Sequence, residues 1–552
     1  MEQKHFVFKL LDNMLIGERL LTNNDGQIRN IGILILNGLK SQPDFIAQVD
    51  ATSAKEITFQ EIRNTTVKLA LWMNSLGVSV GDEIGISSRH YAVLYIFLAC
   101  LYIGAIPVLW NEYYDLETSF IIARTVSGKL LFIDEMFANT YHHELKVLKP
   151  KKVIIMSWFA GLVEFISYEV LEIEIDSKYN QRMVDHFRCV EVDEYRKHTA
   201  AILYTRHSGA QRGIKIPHAL FNAPVNEQVF DIFPDGVGMW VGSFSLSINM
   251  LLAVYSILSS KRMIRFMGIM REEMCYVIGK HKIDWVLLET QMCVEITNSN
   301  MLQKYNLSCL KQIIYSGAEF PYHDYKSLSL SLPNTMIVGL YYTAETGIIS
   351  CQIRNNKIKS SGHIGKSVKL KIIDFVTKNP VCSNTYGEIC CYCIGMAHIA
   401  CDFYKVNYST VSPDGWFYTN DIGYYDNDGD IFVMGRKSNL INFKGYYYSP
   451  ITIENFISRY SAVDKVAVVA TKNEQDVDHP TAYILKKPGQ YVDAEAVIAE
   501  VDAKFDDHMK LRGGIKIVNE MPGMIDGNID RFALDDDIIE PVLFVPYKAK
   551  TS

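Results

Sequence analysis

The chain lacks a cysteine framework: its 11 cysteines are odd in number and scattered, which excludes a disulfide-stapled secreted scaffold. Cys390, Cys391 and Cys393 cluster, but within residues 387–394 (GEICCYCI), which read as a strand and bring no second pair of zinc ligands. Excess charge of one sign is also missing. Lys plus Arg number 55 against 62 Asp plus Glu, a net charge of -7 that argues against a general nucleic-acid binder. No apolar run is long enough to span a bilayer. Residues 94–110 (LYIFLACLYIGAIPVLW) carry no charge but fall short of the roughly 20 required, and Gly104 and Pro107 interrupt them. They read as a buried helix turning into a core strand. The opening Met1-Glu2-Gln3-Lys4-His5-Phe6 has no apolar signal core, and no internal repeat or low-complexity tract occurs. An intracellular, cytoplasmic protein with no membrane span and no nucleic-acid partner is the expectation.

What remains is the composition of a large folded protein, 552 residues with 49% hydrophobic and 21% charged. That length suits three or four domains, or one multilobed body with an appendage. Thr58-Phe59-Gln60-Glu61 is a capping box, and Ile62, Thr66, Leu69, Met73 and Leu76 then recur at helical spacing before Gly77. Strands are predicted at residues 83–87, 129–133, 152–156, 283–288 and 312–315, with helical or irregular stretches between them. This alternation predicts an α/β body with largely parallel sheets. The texture changes near Gly435-Arg436-Lys437-Ser438, where the polar residues, Ser438 among them, suit a hinge. Beyond it, helices at 451–457 and 494–505 and strands at 466–469, 483–485 and 515–518 predict a small α+β domain of about 115 residues. The expected division is 1–435 and 436–552.

Residues 204–213 (YTRHSGAQRG) combine hydroxyls, glycines and cations in what reads as one loop, able to offer N–H groups and positive charge to phosphate. Residues 341–346 (YYTAET) set a carboxylate beside aromatic rings. Residues 414–421 (DGWFYTND) supply another, and 435–441 (GRKSNLI) a cation. Their order and spacing resemble the adenylate-forming superfamily of acyl-CoA synthetases, coumarate-CoA ligases and beetle luciferases, from about Thr58 to Leu534. The most specific stretch is 414–450, in which Asn420 stands where the family has a glycine.

The resemblance implies a large AMP-binding body and a mobile C-terminal cap. It also implies a reaction in which ATP and a carboxylic acid give an acyl-adenylate, which CoA then attacks. Carried over position by position, Thr205, Ser208 and Gly209 would meet the phosphates, with Arg212 supplying charge. Ser316, Gly317, Ala318 and Tyr341 would hold adenine, and Asp421 and Arg436 the ribose. Glu345 would bind Mg²⁺, and Lys444 would approach the site when CoA attacks. Phe244 and Ser245 would wall an acyl pocket, which favours a medium- or long-chain fatty acid or another apolar acid.

Several positions depart from that pattern. Arg206 replaces a glycine of the phosphate loop, Gln211-Arg212-Gly213 replaces Pro-Lys-Gly, and Ala344 replaces a threonine. Phe244 and Ser245 replace paired histidines of luciferase-like members. Asn528 stands where the family's lysine contacts the substrate carboxylate and α-phosphate, between Asp526 and Asp530. Losing one preorganised contact of that kind costs about 3–4 kcal/mol. Three readings follow: an impaired acyl-CoA ligase, a pseudoenzyme that binds nucleotide or acyl ligand, and, less favoured, a luciferase-like monooxygenase. Peroxisomal location is implied by some relatives, although residues 548–552 (KAKTS) differ from a Ser-Lys-Leu signal.

Overall fold

The computed structural model describes residues 8–17, 30–112, 114–126, 130–148, 150–156, 165–192, 198–207, 210–222, 233–266, 268, 270–317, 320–352, 357–366, 368–393, 395–402, 407–444, 446–472, 478–522, 529, 531–535 and 541–547. They form two compact units. The first takes residues 1–385, 390–419 and 425–432, and the second 386–389, 420–424 and 433–552. The division passes within the strands Gly387–Cys393, Phe417–Tyr425 and Ile431–Arg436.

In the first unit the capping box forms as predicted. The Thr58 hydroxyl accepts from the Glu61 amide at 3.2 Å, the Thr58 amide donates to Glu61 Oε2 at 2.7 Å, and the helix runs Phe59–Ser75. The uncharged run after residue 93 becomes the helix Val93–Ile103, buried on every face. Gly104 ends it at φ 71°, and the strand Ile106–Leu109 follows. An all-round apolar helix of this length belongs in a core; among the described residues no helix is long and apolar enough to cross a membrane.

Among the described residues, two nine-stranded sheets, largely parallel, dominate this unit, which also holds the strands Phe8–Leu11, Met14–Gly17 and Val368–Ile373 of a six-stranded sheet. The strand predicted at 283–288 is displaced to Trp285–Glu289, because the preceding helix consumes its first residues: Lys282 takes φ 49° and the Ile283 amide bonds back to Ile278. The stretch 204–213, read as one loop, is also corrected. It belongs mostly to an antiparallel hairpin, Thr199–His207 with Ala210–Pro217, in which Thr205 faces Arg212 and Arg206 faces Gln211. Alternate residues of this stretch serve opposite faces of a sheet, a period that its polar composition concealed.

One turn of the first unit is built around a lysine. Lys357 Nζ lies 2.5 Å from Asp426, 2.6 Å from Asp428 and 3.0 Å from Asp430, and Asp426 Oδ1 also accepts from the amides of Asp428 and Asp430.

The second unit has a mixed sheet of Val463–Lys472, Asp478–Lys486, Ile515–Val518 and Leu543–Val545, with helices Ile451–Ile457 and Ala494–Lys504. Its core includes the Arg531–Glu454 ion pair, with Nη2 to Oε2 at 2.8 Å, and Glu454 also accepts from the Val468 amide at 2.6 Å.

Thr58→Ala should lower stability by about 1 kcal/mol through loss of the N-cap. The measurement is the urea midpoint followed by circular dichroism, and an unchanged midpoint would refute the cap's contribution.

Candidate active site

In one of the two nine-stranded sheets, Met336–Thr343, Gln312–Ser316, Trp285–Glu289, Gly238–Trp240, Met263–Arg265 and Ile46–Asp50 lie side by side and parallel. Parallel strands bring every carboxyl end to one edge, where open α/β sheets bind ligands. Along that edge follow Thr343 with Glu345 just beyond it, Ser316 with Gly317, Glu289, Gly242 with Ser243, Arg265 and Asp50. The other sheet aligns Glu83–Ser87, Ile106–Leu109, Leu130–Ile133 and Thr199–His207 in the same way, so that Ser88, Glu112, Asp134 and Thr205 fall at or just past its carboxyl ends.

Arg212 and Glu345, 133 positions apart, form an ion pair from Nη2 to Oε1. Their side chains are 15% and 5% exposed. Among the described residues no group accepts from Arg212 Nε, although that atom is buried. A buried guanidinium with a spare donor is suited to a planar oxyanion. Glu345 is fixed by its turn: Thr343 and Thr346 bond through their hydroxyls at 2.9 Å, the Ala397 amide donates to the Glu345 carbonyl at 2.7 Å, and Gly347 follows at φ 67°. Beside it, Ser316 Oγ donates to the Leu340 carbonyl at 2.6 Å and Thr290 Oγ1 to the Ser316 carbonyl at 3.2 Å. Gly317 has φ 110° and open space where a Cβ would project, so its backbone is free for close approach. Tyr341 is buried at a bulge in the ladder with Gly347–Cys351.

Magnesium fits Glu345 by chemistry, since that ion commonly takes one or two carboxylates and completes its shell with phosphate and water. Among the described residues no group of three or more His, Cys, Asp or Glu could hold a metal by itself. Bound phosphate would therefore have to complete the shell.

A small cleft opens between the carboxyl edges of the two sheets, lined among others by Trp240, Phe244, Tyr91, His90, Glu112 and Arg265. Phe244 is anchored against Phe97, with ring centroids 5.4 Å apart. Ser245 lies outside this lining and turns to Ser243, Oγ to Oγ at 2.7 Å, while Ser243 Oγ donates to Glu112 Oε2 at 2.5 Å. The Arg265 guanidinium stacks 4.1 Å over Tyr91 and bonds Asp50 at 2.9 Å, so its charge is already matched. Burial pushes the Glu112 carboxyl above its ordinary range, and the bonds from Ser243 and its own amide offset this only in part. Burial, aided by Arg265, lowers His90 to about 4, which leaves it neutral at physiological pH.

In the second unit, Arg436 Nη1 lies 3.0 Å from Asp421 Oδ1; Asp421 is buried, whereas half of the Arg436 side chain is exposed. Asn420 adopts φ 58°, a left-handed conformation that glycine takes freely and asparagine tolerates. Lys437 reaches the buried Glu388 at 2.6 Å. Ser438 occupies a one-turn 3₁₀ helix, Lys437–Asn439. Lys444 is exposed at φ 50°, its ammonium 5.3 Å from the Phe443 ring centroid.

Ser208, Gly209, Ala318, Asn528, Asp526 and Asp530 lie outside the described residues. The cleft's Glu112, His90 and Arg265, and Asp50 that pairs with Arg265, were missed from sequence. The available signal was positional: each falls at or just beyond the carboxyl end of a strand.

Residues 37–398 match the AMP-binding enzyme family, and residues 452–527 match the AMP-binding enzyme C-terminal domain. The chain belongs to the AMP-binding enzyme family, as the resemblance implied. It is 23% identical over 508 residues to luciferin 4-monooxygenase of Luciola mingrelica, covering 90% of this chain and 92% of that protein. It is likewise 23% identical over 535 residues to probable 4-coumarate--CoA ligase 3 of Dictyostelium discoideum, covering 91% and 94%. Among solved structures, ATP-bound MatB from Rhodopseudomonas palustris superposes with a TM-score of 0.80 at 16% identity, covering 92% of this chain and 98% of that one. The anthranilate CoA ligase AuaEII in complex with anthranoyl-AMP gives 0.78 at 17%, covering 92% and 96%. These likenesses bear out the adenylate-forming fold.

Arg212→Ala would leave the Glu345 carboxylate buried and unmatched, a loss of about 3–5 kcal/mol, whereas Arg212→Met with Glu345→Leu should recover most of it. Urea unfolding of the three forms checks this; equal losses in the single and double variants would refute it. A second expectation concerns pH. Folded Glu112 keeps its proton to higher pH than the unfolded chain does, so its contribution to stability falls as pH rises from the ordinary carboxylate value to the raised one. Glu112→Gln should flatten that part of the stability curve.

Proposed function

We propose that the chain binds ATP and a largely apolar carboxylic acid and joins them as an acyl-adenylate, which it passes to CoA as a thioester at a reduced rate. The observation that carries this reading is the buried Arg212 guanidinium, fixed by Glu345 yet retaining a spare donor at Nε. In this reading Arg212 turns that donor to the phosphates, which Thr205 on the facing strand, Ser208 and Gly209 also meet. The open backbone at Gly317, with Ala318 and Tyr341, meets the adenine, and Asp421 with Arg436 meets the ribose. Glu345 would hold Mg²⁺, which when bound neutralises phosphate charge. Phe244 contributes to the acyl wall and Ser245 braces it through Ser243. Residues 1–435 act as the adenylation body and 436–552 as the cap that brings Lys444 forward, with Ser438 at the hinge. A medium- or long-chain fatty acid is the starting expectation for the substrate.

A second reading, a nucleotide-binding pseudoenzyme, is favoured by one observation: Asn528 in place of lysine. An amide supplies no charge to a developing oxyanion, which typically costs about 10²–10³ in rate. Pyrophosphate release with ATP, Mg²⁺ and a panel of fatty and aromatic acids should rise by about that factor in Asn528→Lys. Release from neither form would remove the ligase reading. Calorimetry with ATP then separates the two: heat without turnover supports the pseudoenzyme, and absence of heat removes both. In the same titration Arg212→Ala should weaken ATP binding at least about tenfold, the value of one lost charge-assisted hydrogen bond.

A further inference from the structure

Two consecutive cations, at and just past the end of the strand Ile431–Arg436, each reach a buried carboxylate, and the two contacts differ in kind. Arg436 Nη1 lies 3.0 Å from Asp421 Oδ1, with half of the arginine side chain exposed. Lys437 Nζ lies 2.6 Å from Glu388 Oε2, whose side chain is only 2% exposed. The strands Gly387–Cys393, Phe417–Tyr425 and Ile431–Arg436 lie side by side in that order, with Glu388 on the first, Asp421 on the middle one and Lys437 directly after the third. Lys437 therefore reaches past the middle strand, across two strand spacings of about 5 Å each. All four residues belong to the second unit.

An exposed arginine loses much rotamer freedom when held in one place, and an ion pair open to water returns little of that cost. The contact of Arg436 with Asp421 thus depends on where the backbone of residue 436 stands. A carboxylate as buried as Glu388 is costly to leave without its cation, so the Lys437 pair is the persistent one of the two. It fixes the residue next to Arg436, whose extended backbone, φ -88° and ψ 141°, passes directly into the one-turn helix that Lys437 opens. We propose that Lys437 and Glu388 are positioning residues for the sugar of the nucleotide: their ion pair holds the Arg436 backbone where its guanidinium and Asp421 together meet the ribose. The inference rests on the reading above, in which Asp421 with Arg436 receives that sugar, and adds the pair that keeps the contact in place. Arg212, assigned there to the phosphates, belongs to the first unit. The Lys437 pair therefore governs recognition of the sugar and leaves that of the phosphates unchanged.

The test uses the full chain with Mg²⁺ and compares ATP, 2′,3′-dideoxy-ATP, which lacks both sugar hydroxyls, and inorganic tripolyphosphate, which lacks the nucleoside. Calorimetric dissociation constants should show the unaltered chain binding ATP about tenfold or more tighter than the dideoxy nucleotide, the value of one lost hydrogen bond to a charged group. Lys437→Met alone would strand the buried Glu388 charge and endanger folding, so it is combined with Glu388→Leu, which removes both charges together. The double variant should bring the preference for ATP within about twofold while binding tripolyphosphate as the unaltered chain does. Failure of the unaltered chain to bind ATP overturns the adenylation reading and this proposal together. ATP binding by that chain with no preference for the hydroxyls overturns the ribose assignment, and the proposal with it. A preference that survives the double substitution, or a loss of tripolyphosphate binding in that variant, overturns the positioning role alone.

Discussion

Strand direction is the constraint on which the site depends. With the strands of each sheet parallel over most of its width, every connection leaving a carboxyl end emerges on the same edge, and residues from distant parts of the chain meet there without any further device. Asp50, Ser88, Glu112, Ser243, Arg265, Ser316 and Glu345 are all gathered in this way. The sequence supplies only a polar residue directly after an apolar strand. The sheet supplies the neighbourhood.

Within that neighbourhood charge is tightly managed. Arg265 is neutralised by Asp50, and Arg212 is held by Glu345. Buried pairs of this kind contribute little net stability, yet removing one partner is costly, so they fix where charge stands more than they hold the fold together. The two pairs differ in one respect. Arg212 keeps a donor without an acceptor among the described residues, whereas Arg265 has its charge matched and its face covered by Tyr91. The difference separates a group that can receive an anion from one that shapes a wall.

Local chemistry was readable directly from sequence. The capping box at Thr58 and Glu61 needs only residues three apart, and Asn420 in place of a glycine is explained by a backbone at φ 58°. The helix and strand hidden in the uncharged run were legible because Gly104 marks the junction. Contacts that depend on topology were not. Nothing near Arg212 announces a partner 133 residues away, and the glycines and hydroxyls around it read as a loop although most of the stretch is a hairpin. The cleft was invisible for a similar reason: Gln48, His90, Glu112 and Arg265 share no spacing, only places near the carboxyl edges of the two sheets.

The turn that encloses Lys357 has a consequence of a different kind. Asp426, Asp428 and Asp430 alternate along a tight glycine-containing turn and bring three carboxylates close together. The chain places its own ammonium there, and because of these partners Lys357 holds its proton well above the ordinary lysine range despite partial burial. A counter-ion carried on the polypeptide is never diluted and never exchanged. The turn's vulnerability is to acid, which would discharge the aspartates and leave the lysine without its cage.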